Sequence, residues 1–228
     1  WLHEADLVPD VAFSDARVDY ASVAPWRMER LQRAAKSFLK NGSTADRLDF
    51  SNFCLRQADW LDDYALFMVL DRVHGGGDWS EWPEPIARRN PLALGQARRE
   101  HASDIDFWKF CQWCFFSQWK RLRDYAHQRG IKIVGDAPIF VAHQSADVWS
   151  NQKLFELDAQ GKSTVVAGVP PDFFSETGQR WGNPLYRWPK HAAQGYRWWI
   201  ERMRHMLTLF DRARIDHFRG FEAYWEIP

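Results

Sequence analysis

The sequence predicts an α/β fold, on three observations. A run with helical apolar spacing, Asp104 to Gln128, is followed by the short apolar stretch Ile131-Lys132-Ile133-Val134 and then by Asp136. The same order returns when the helical run Pro189 to Phe210 leads into the strand-like Arg212 to His217, which carries Asp216. Before both units, the first hundred residues show helical spacing and no strand alternation. Helix, strand and acid in that order, repeated, belong to a parallel sheet or barrel, where functional groups gather at the C-terminal ends of strands. Two strands cannot close a barrel, so further strands are expected either elsewhere in the chain or outside it.

The elements follow in order. Residues 1–24, with Pro9 and several aspartates, read mostly as loop. From Pro25 to Lys40 the apolar positions Met28, Leu31, Ala34, Ala35 and Phe38 share a helical face, and Asn41-Gly42 stops it. A second helical stretch runs from about Ala45 to His74, with a break expected near Ser51-Asn52 and an end at Gly75-Gly76-Gly77. Short segments at Pro85–Arg89 and Pro91–Glu100 follow. The long helix from Asp104 is closed by Gly130. Ala142 to Trp188 reads as one long loop. Loops of that length in a compact domain are usually functional. The domain reading is therefore a helix-rich segment over 1–103 and an α/β segment over 104–228 that includes an aromatic loop, 165–188.

Charge and composition exclude several classes. Lys plus Arg and Asp plus Glu both number 30, which argues against a nucleic-acid binder, since phosphate affinity is built from clustered cations. No apolar run approaches the roughly 20 residues needed to span a bilayer, and no basic region followed by an apolar core opens the chain. The three cysteines, Cys54, Cys111 and Cys114, are an odd and small number, which suggests reduced thiols and a cytoplasmic setting. Cys111 and Cys114 form a C-x-x-C without a second pair or histidines at ligand spacing, so they are expected on a buried helix face and not on a metal. Gly161-Lys162-Ser163-Thr164 imitates the end of a P-loop, but Glu156 stands where its first glycine belongs and no helix is expected to follow.

The aromatic content, 14 Trp, 16 Phe and 6 Tyr, is the anomaly of the composition, and most of the 14 Trp are expected to be structural. Indole and phenyl rings build cores, but they also stack on the apolar faces of sugar rings. Those in the loop between Val169 and Pro184 are mixed with Asp, Glu, Gln, Arg and Asn, a combination able to stack on and hydrogen-bond to a polyol. In Arg214-Ile215-Asp216 the two charged residues share one strand face. A guanidinium beside a carboxylate favours the ionised acid. An oriented, ionised Asp suits nucleophilic attack on a sugar carbon, although a plain strand-end salt bridge has the same sequence.

Gly135-Asp136-Ala137-Pro138-Ile139-Phe140-Val141, Ser145-Ala146-Asp147-Val148-Trp149, the stretch Val165 to Trp188 and Arg214 to Pro228 together resemble the amylomaltase (4-alpha-glucanotransferase) family, glycoside hydrolase family 77 of the alpha-amylase clan. The resemblance is specific over about residues 130–228 and weaker before them. It implies a (β/α)8 TIM barrel, incomplete here, with a helix-rich insertion. It also implies transfer of an α-1,4-glucan segment to the 4-hydroxyl of glucose or another glucan by retaining double displacement, with no cofactor and no metal. The implied partners are a maltooligosaccharide donor and a sugar acceptor, with no nucleic acid and no membrane. Asp216 falls on the nucleophile, Arg214 on the arginine that orients it, and Asp136 on a carboxylate at the site floor. Asp172, Phe173, Phe174 and Trp181 fall on the loop that folds over the glucan, and Asn183 and His217 are counted with the substrate-binding candidates. Many relatives have tyrosine at the position of Phe173, so a hydroxyl contact is lost here.

The resemblance places the general acid/base and a further transition-state-stabilising Asp beyond Pro228, and the first barrel strand before Trp1. Glu222 and Glu226 lie too soon after Asp216 to replace the acid. The chain is thus expected to be an internal piece of an enzyme, inactive by itself on natural glucan. Losing the acid costs a factor of about 10²–10⁴ or more. Two other readings share Asp216 or the aromatic loop: a hydrolase of the same clan, and a non-catalytic glucan-binding module.

Overall fold

Side-chain caps set where the helices begin. In the structure, a computed structural model that describes residues 1–10, 12–173 and 175–228, Asp19 accepts the Ala21 N–H and opens α1 (Tyr20–Asn41). The helix thus starts ahead of Pro25, which lies inside it. Ser43 caps α2 (Thr44–Arg56) through the Asp46 N–H. The chain then breaks at Gln57, and not near Ser51-Asn52, before α3 (Ala58–Val73). After α4 (Glu84–Ala87), Asn90 accepts the Leu92 and Ala93 N–H groups at the head of α5 (Pro91–Glu100), where Pro91 has no donor to lose. The long α6 (Ala102–Gln128) ends at Gly130, whose φ of +71° closes it.

Beyond α6 come β1 (Val134–Pro138), α7 (Ala146–Ser150), β2 (Val166–Val169), β3 (Gln179–Pro184), α8 (Trp188–Ala193), α9 (Arg197–Leu209), β4 (Arg212–Asp216) and β5 (Trp225–Ile227). β1 and β4 pair in parallel, as the repeated helix–strand order implies, with Asp136 opposite Arg214 and Pro138 opposite Asp216. Three expectations shift. The first strand lies at 134–138, and not at 131–134, because the backbone of Ile133 is taken by Asp211: its N–H donates to Asp211 Oδ2 at 2.8 Å and its carbonyl accepts the Asp211 N–H at 2.9 Å. Asp136 is consequently inside the strand. The stretch 142–188 is not a bare loop but carries α7, β2 and β3. β2 pairs antiparallel with β3 on one side and β5 on the other. Gly168 allows that packing, since a Cβ there would lie 2.4 Å from Ile227 Cδ1 and 2.6 Å from the Gln179 carbonyl. The helical run 189–210 is interrupted at Gly195 and Tyr196, both with left-handed φ.

The chain forms two compact units, residues 1–65 with 102–116 and residues 66–101 with 117–228, so the division runs through α3 and α6. In the first unit Ala35, Phe38, Phe53, Leu61, Phe107, Phe110 and Trp113 make the core. Cys54, Cys111 and Cys114 are half-buried against it as free thiols. Burial pushes Cys111 up to about 12, which leaves a thiol and no reactive thiolate. In the second unit Trp79, Trp149, Phe155, Leu185 and Tyr186 are fully buried. Gly135 admits the Phe210 ring behind β1, where a Cβ would come within 2.1 Å of it. Among the described residues, no helix is long and apolar enough to cross a membrane.

The N-terminal ends of β1 and β4 are pinned by Asp211. Its carboxylate accepts the Ile133 N–H, the Arg123 guanidinium at 2.8 Å and the His127 ring at 2.9 Å. These bonds, the Ile133 N–H foremost, hold the carboxyl well below the usual range. A depressed carboxyl stabilises the fold above the unfolded pKa of about 3.9 and loses that contribution as pH falls toward the folded value. Asp211→Asn should therefore lower Tm throughout the neutral range, with the deficit closing below about pH 4. Thermal melts from pH 3 to 7 read this directly, and a deficit independent of pH removes the carboxylate from the explanation.

Candidate active site

One face of the β1–β4 pair gathers the charged groups. Asp136 on β1 and Arg212, Arg214 and Asp216 on β4 are exposed, whereas Gly135 and Ala137 are buried and Ala213 and Ile215 half-buried. Arg214 and Asp216 share a face, as strand alternation requires. The arginine's fork, however, points across the ladder. Nε and Nη2 donate to the two carboxylate oxygens of Asp136 at 3.0 and 2.5 Å, while Asp216 Oδ1 lies 3.7 Å from Nη2, an ion pair without a hydrogen bond. Strand spacing accounts for this. A cross-strand neighbour is about 4.8 Å away, whereas a same-face residue along the strand is about 6.6 Å away. Arg214 thus bridges two carboxylates, held chiefly by Asp136. It keeps the Asp136 carboxyl below its ordinary value through its hydrogen bonds, and the pairing raises its own pKa in return.

The backbone turns sharply directly after Asp216. His217 is left-handed, with φ 54° and ψ 48°, and its carbonyl accepts the Gly220 N–H at 2.8 Å to open a short 3₁₀ turn over Phe218–Phe221. A non-glycine residue in that region carries strain of order 1–3 kcal/mol, a feature concentrated at functional sites. The turn leaves Asp216 at the tip of β4, 64% exposed, and sets the His217 ring edge-on to Trp181, with centroids 5.2 Å apart. Trp181, on β3, also contacts Phe140 at 6.3 Å, and its Nε1 donates to Gln179. The aromatic arm therefore reaches the residue beside the candidate nucleophile.

The remaining candidates have distinct positions. Asp172 Oδ1 accepts the Ser175 N–H at 2.8 Å and shapes the turn between β2 and β3. Phe173 is 97% exposed on that turn. Phe174 lies outside the described residues. Asn183 Nδ2 donates to the Val141 carbonyl at 3.0 Å, so part of its amide holds backbone. Among the described residues there is no group of three His, Cys, Asp or Glu side chains able to hold a metal ion; Arg214 supplies the cation between the two carboxylates. The sequence reading passed over Phe140, Tyr186 and Arg202. Tyr186 Oη donates to the Ile139 carbonyl at 2.6 Å, and Phe140 stacks on its ring at 6.0 Å. Aromatic packing gives Phe140 and Tyr186 no sequence signal that separates them from ordinary core residues, and the bonds of Arg202 go to backbone carbonyls, which carry none.

A parallel strand pair with an exposed aspartate at its tip, bridged by arginine to a second aspartate and flanked by a tryptophan, invites comparison with known proteins. The family model described as 4-alpha-glucanotransferase matches residues 2–228. The chain belongs to the 4-alpha-glucanotransferase family. It is 51% identical to the 4-alpha-glucanotransferase of Thermus thermophilus over 96% of its length, covering 44% of that protein. It is 47% identical to the Aquifex aeolicus 4-alpha-glucanotransferase over its full length, covering 46% of that protein. A chloroplastic/amyloplastic 4-alpha-glucanotransferase of Solanum tuberosum is 41% identical over 93% of the chain and 37% of the relative. Among solved structures, the amylomaltase from Streptococcus agalactiae in complex with acarbose superposes with a TM-score of 0.87 at 39% identity, over 92% of this chain and 42% of that one. The chain thus spans less than half the length of the family members it matches.

Proposed function

We propose that this chain is the nucleophile-bearing part of a 4-alpha-glucanotransferase, which moves a segment of an α-1,4-glucan to the 4-hydroxyl of glucose or another glucan by retaining double displacement. The observation that carries the reading is Asp216, exposed at the tip of a parallel strand, beside a guanidinium shared with Asp136 and next to the Trp181–His217 contact. Asp216 attacks the anomeric carbon and forms a glycosyl-enzyme. A general acid about 5–5.5 Å from it protonates the leaving oxygen in a retaining site. Residues 104–228 form part of a (β/α)8 barrel and residues 1–103 a helix-rich insertion, a reading supported by the β1–β4 pair and by the amylomaltase superposition. The enzyme works in the cytoplasm and needs no cofactor.

Asp136 positions Arg214. Asp172, Phe173, Trp181, Asn183 and His217 border the sugar, with the rings stacked on its faces. Transfer outcompetes hydrolysis when the acceptor is held where water would otherwise attack and when solvent is excluded. Trp181, touching both Phe140 and His217, serves that purpose. An aromatic contact contributes about 0.5–1.5 kcal/mol, so Trp181→Ala in the full-length enzyme should reduce the transfer-to-hydrolysis ratio about two- to tenfold. An unchanged ratio takes Trp181 out of acceptor binding. The reaction class is tested by incubating the full-length enzyme with maltotriose. Maltotetraose, maltopentaose and glucose are expected. Shortened products alone identify a hydrolase, and no turnover leaves a glucan-binding module.

A further inference from the structure

We propose that Arg202, together with Tyr186, is a positioning residue for the nucleophile, acting through the C-terminal end of β1. Arg202 lies on α9, away from the charged face of the strands. Its Nη2 donates to the Pro138 carbonyl at 2.5 Å and its Nη1 to the Ile139 carbonyl at 3.2 Å. The Ile139 carbonyl also accepts the Tyr186 hydroxyl at 2.6 Å. Two consecutive carbonyls at the end of a strand would otherwise need water or a further strand, and charge-assisted bonds from a guanidinium are about twice as strong as neutral ones.

The clamp is itself held in place. The guanidinium lies 4.9 Å from the Trp199 ring and 5.5 Å from the Trp198 ring. Tyr186 is 2% exposed, and its ring packs against Phe140, Phe155, Trp198 and Trp199. Asp147, on α7, is near enough for its charged form to be favoured by Arg202, although burial outweighs this and raises its pKa. Pro138 is the register partner of Asp216, and Asp136 lies two residues before it on the strand. Arg202 therefore fixes the backbone opposite the nucleophile and the strand that carries Arg214's partner. Proline at 138 makes this fixing necessary: it brings no N–H to the ladder, so the strand end depends on bonds to its carbonyls.

The inference rests on the reading of Asp216 as nucleophile, and the test separates the two. In the full-length enzyme, Arg202→Lys and Arg202→Met are compared with wild type for maltotriose disproportionation, thermal midpoint and amide hydrogen exchange by peptide. Arg202→Met should lower kcat at least tenfold with KM within about twofold. Arg202→Lys, which can reach one carbonyl, should fall between. Exchange should quicken in peptides covering 136–141 and 212–218 while the rest of the protein is unchanged. If kcat stays within twofold of wild type, or falls only in step with the folded fraction, or exchange at those peptides does not change, the clamp is overturned. If wild type itself does not disproportionate maltotriose, the activity reading fails alone, and the exchange data still decide whether Arg202 holds the strand end.

Discussion

Asp216→Ala in the full-length enzyme should reduce kcat for glucan transfer by a factor on the order of 10⁴–10⁶, the scale seen when a covalent nucleophile is removed. KM and thermal midpoint should change little, because the side chain is exposed and its ion-pair partner is Arg214, itself held by Asp136. The sharper expectation is stereochemical. With the carboxylate gone, azide can occupy its place and attack an α-glycosyl fluoride from the opposite face, giving the β-glycosyl azide. Wild type should give no such product. A variant that retains transfer within tenfold of wild type places the nucleophile elsewhere, whatever the family assignment.

Arg214→Ala should be the next most damaging change, with kcat lowered about 10²–10³-fold, as when one preorganised electrostatic donor is removed from an active site. Two carboxylates would then face one side of a strand pair without the cation that now bridges them. The pH behaviour follows from the direction of the Asp136 shift. Hydrogen bonds from Arg214 hold that carboxyl below its ordinary value, so its ionised form persists to lower pH in wild type. Without the guanidinium its pKa should rise toward or above about 3.9. Carboxyl-carbon NMR titration of Asp136 reads the shift in this chain or in the full-length enzyme, independently of turnover. Arg214→Lys should recover only part of the activity, since an ammonium cannot reproduce the two-point fork on Asp136. An Asp136 titration unchanged in Arg214→Ala contradicts the bridging arrangement.

The site contains one relation that sequence alone presents differently. Read along the chain, Arg214 and Asp216 are near neighbours on one face, and the pairing of one with the other is the natural expectation. The parallel ladder sets Asp136 opposite Arg214, and the bidentate bond goes there. The aspartate after the first helix–strand unit and the arginine of the second therefore operate as one group. Asp216 receives the weaker side of the same cation. Similarly, Asn183 is read as a sugar contact from its place in the aromatic loop, whereas its amide also supports the Val141 carbonyl.

Local patterns were enough to place most of the helices, the α/β order, the acid at the end of β4 and the aromatic arm, but not Asp136, which lies inside β1. Each depends on residues within a few positions of one another: caps, apolar periodicity, glycine stops and composition. What local pattern could not supply is pairing between distant segments. β2, β3 and β5 are short, and β5 lies far along the chain from the strand it joins. The backbone of Ile133 is claimed by Asp211, which moves the start of β1. Arg202 reaches the β1 carbonyls from the middle of a helix. Hydrogen bonds between backbone groups carry no side-chain signature, so only the folded arrangement decides which aspartate the arginine grips and which carbonyls are clamped.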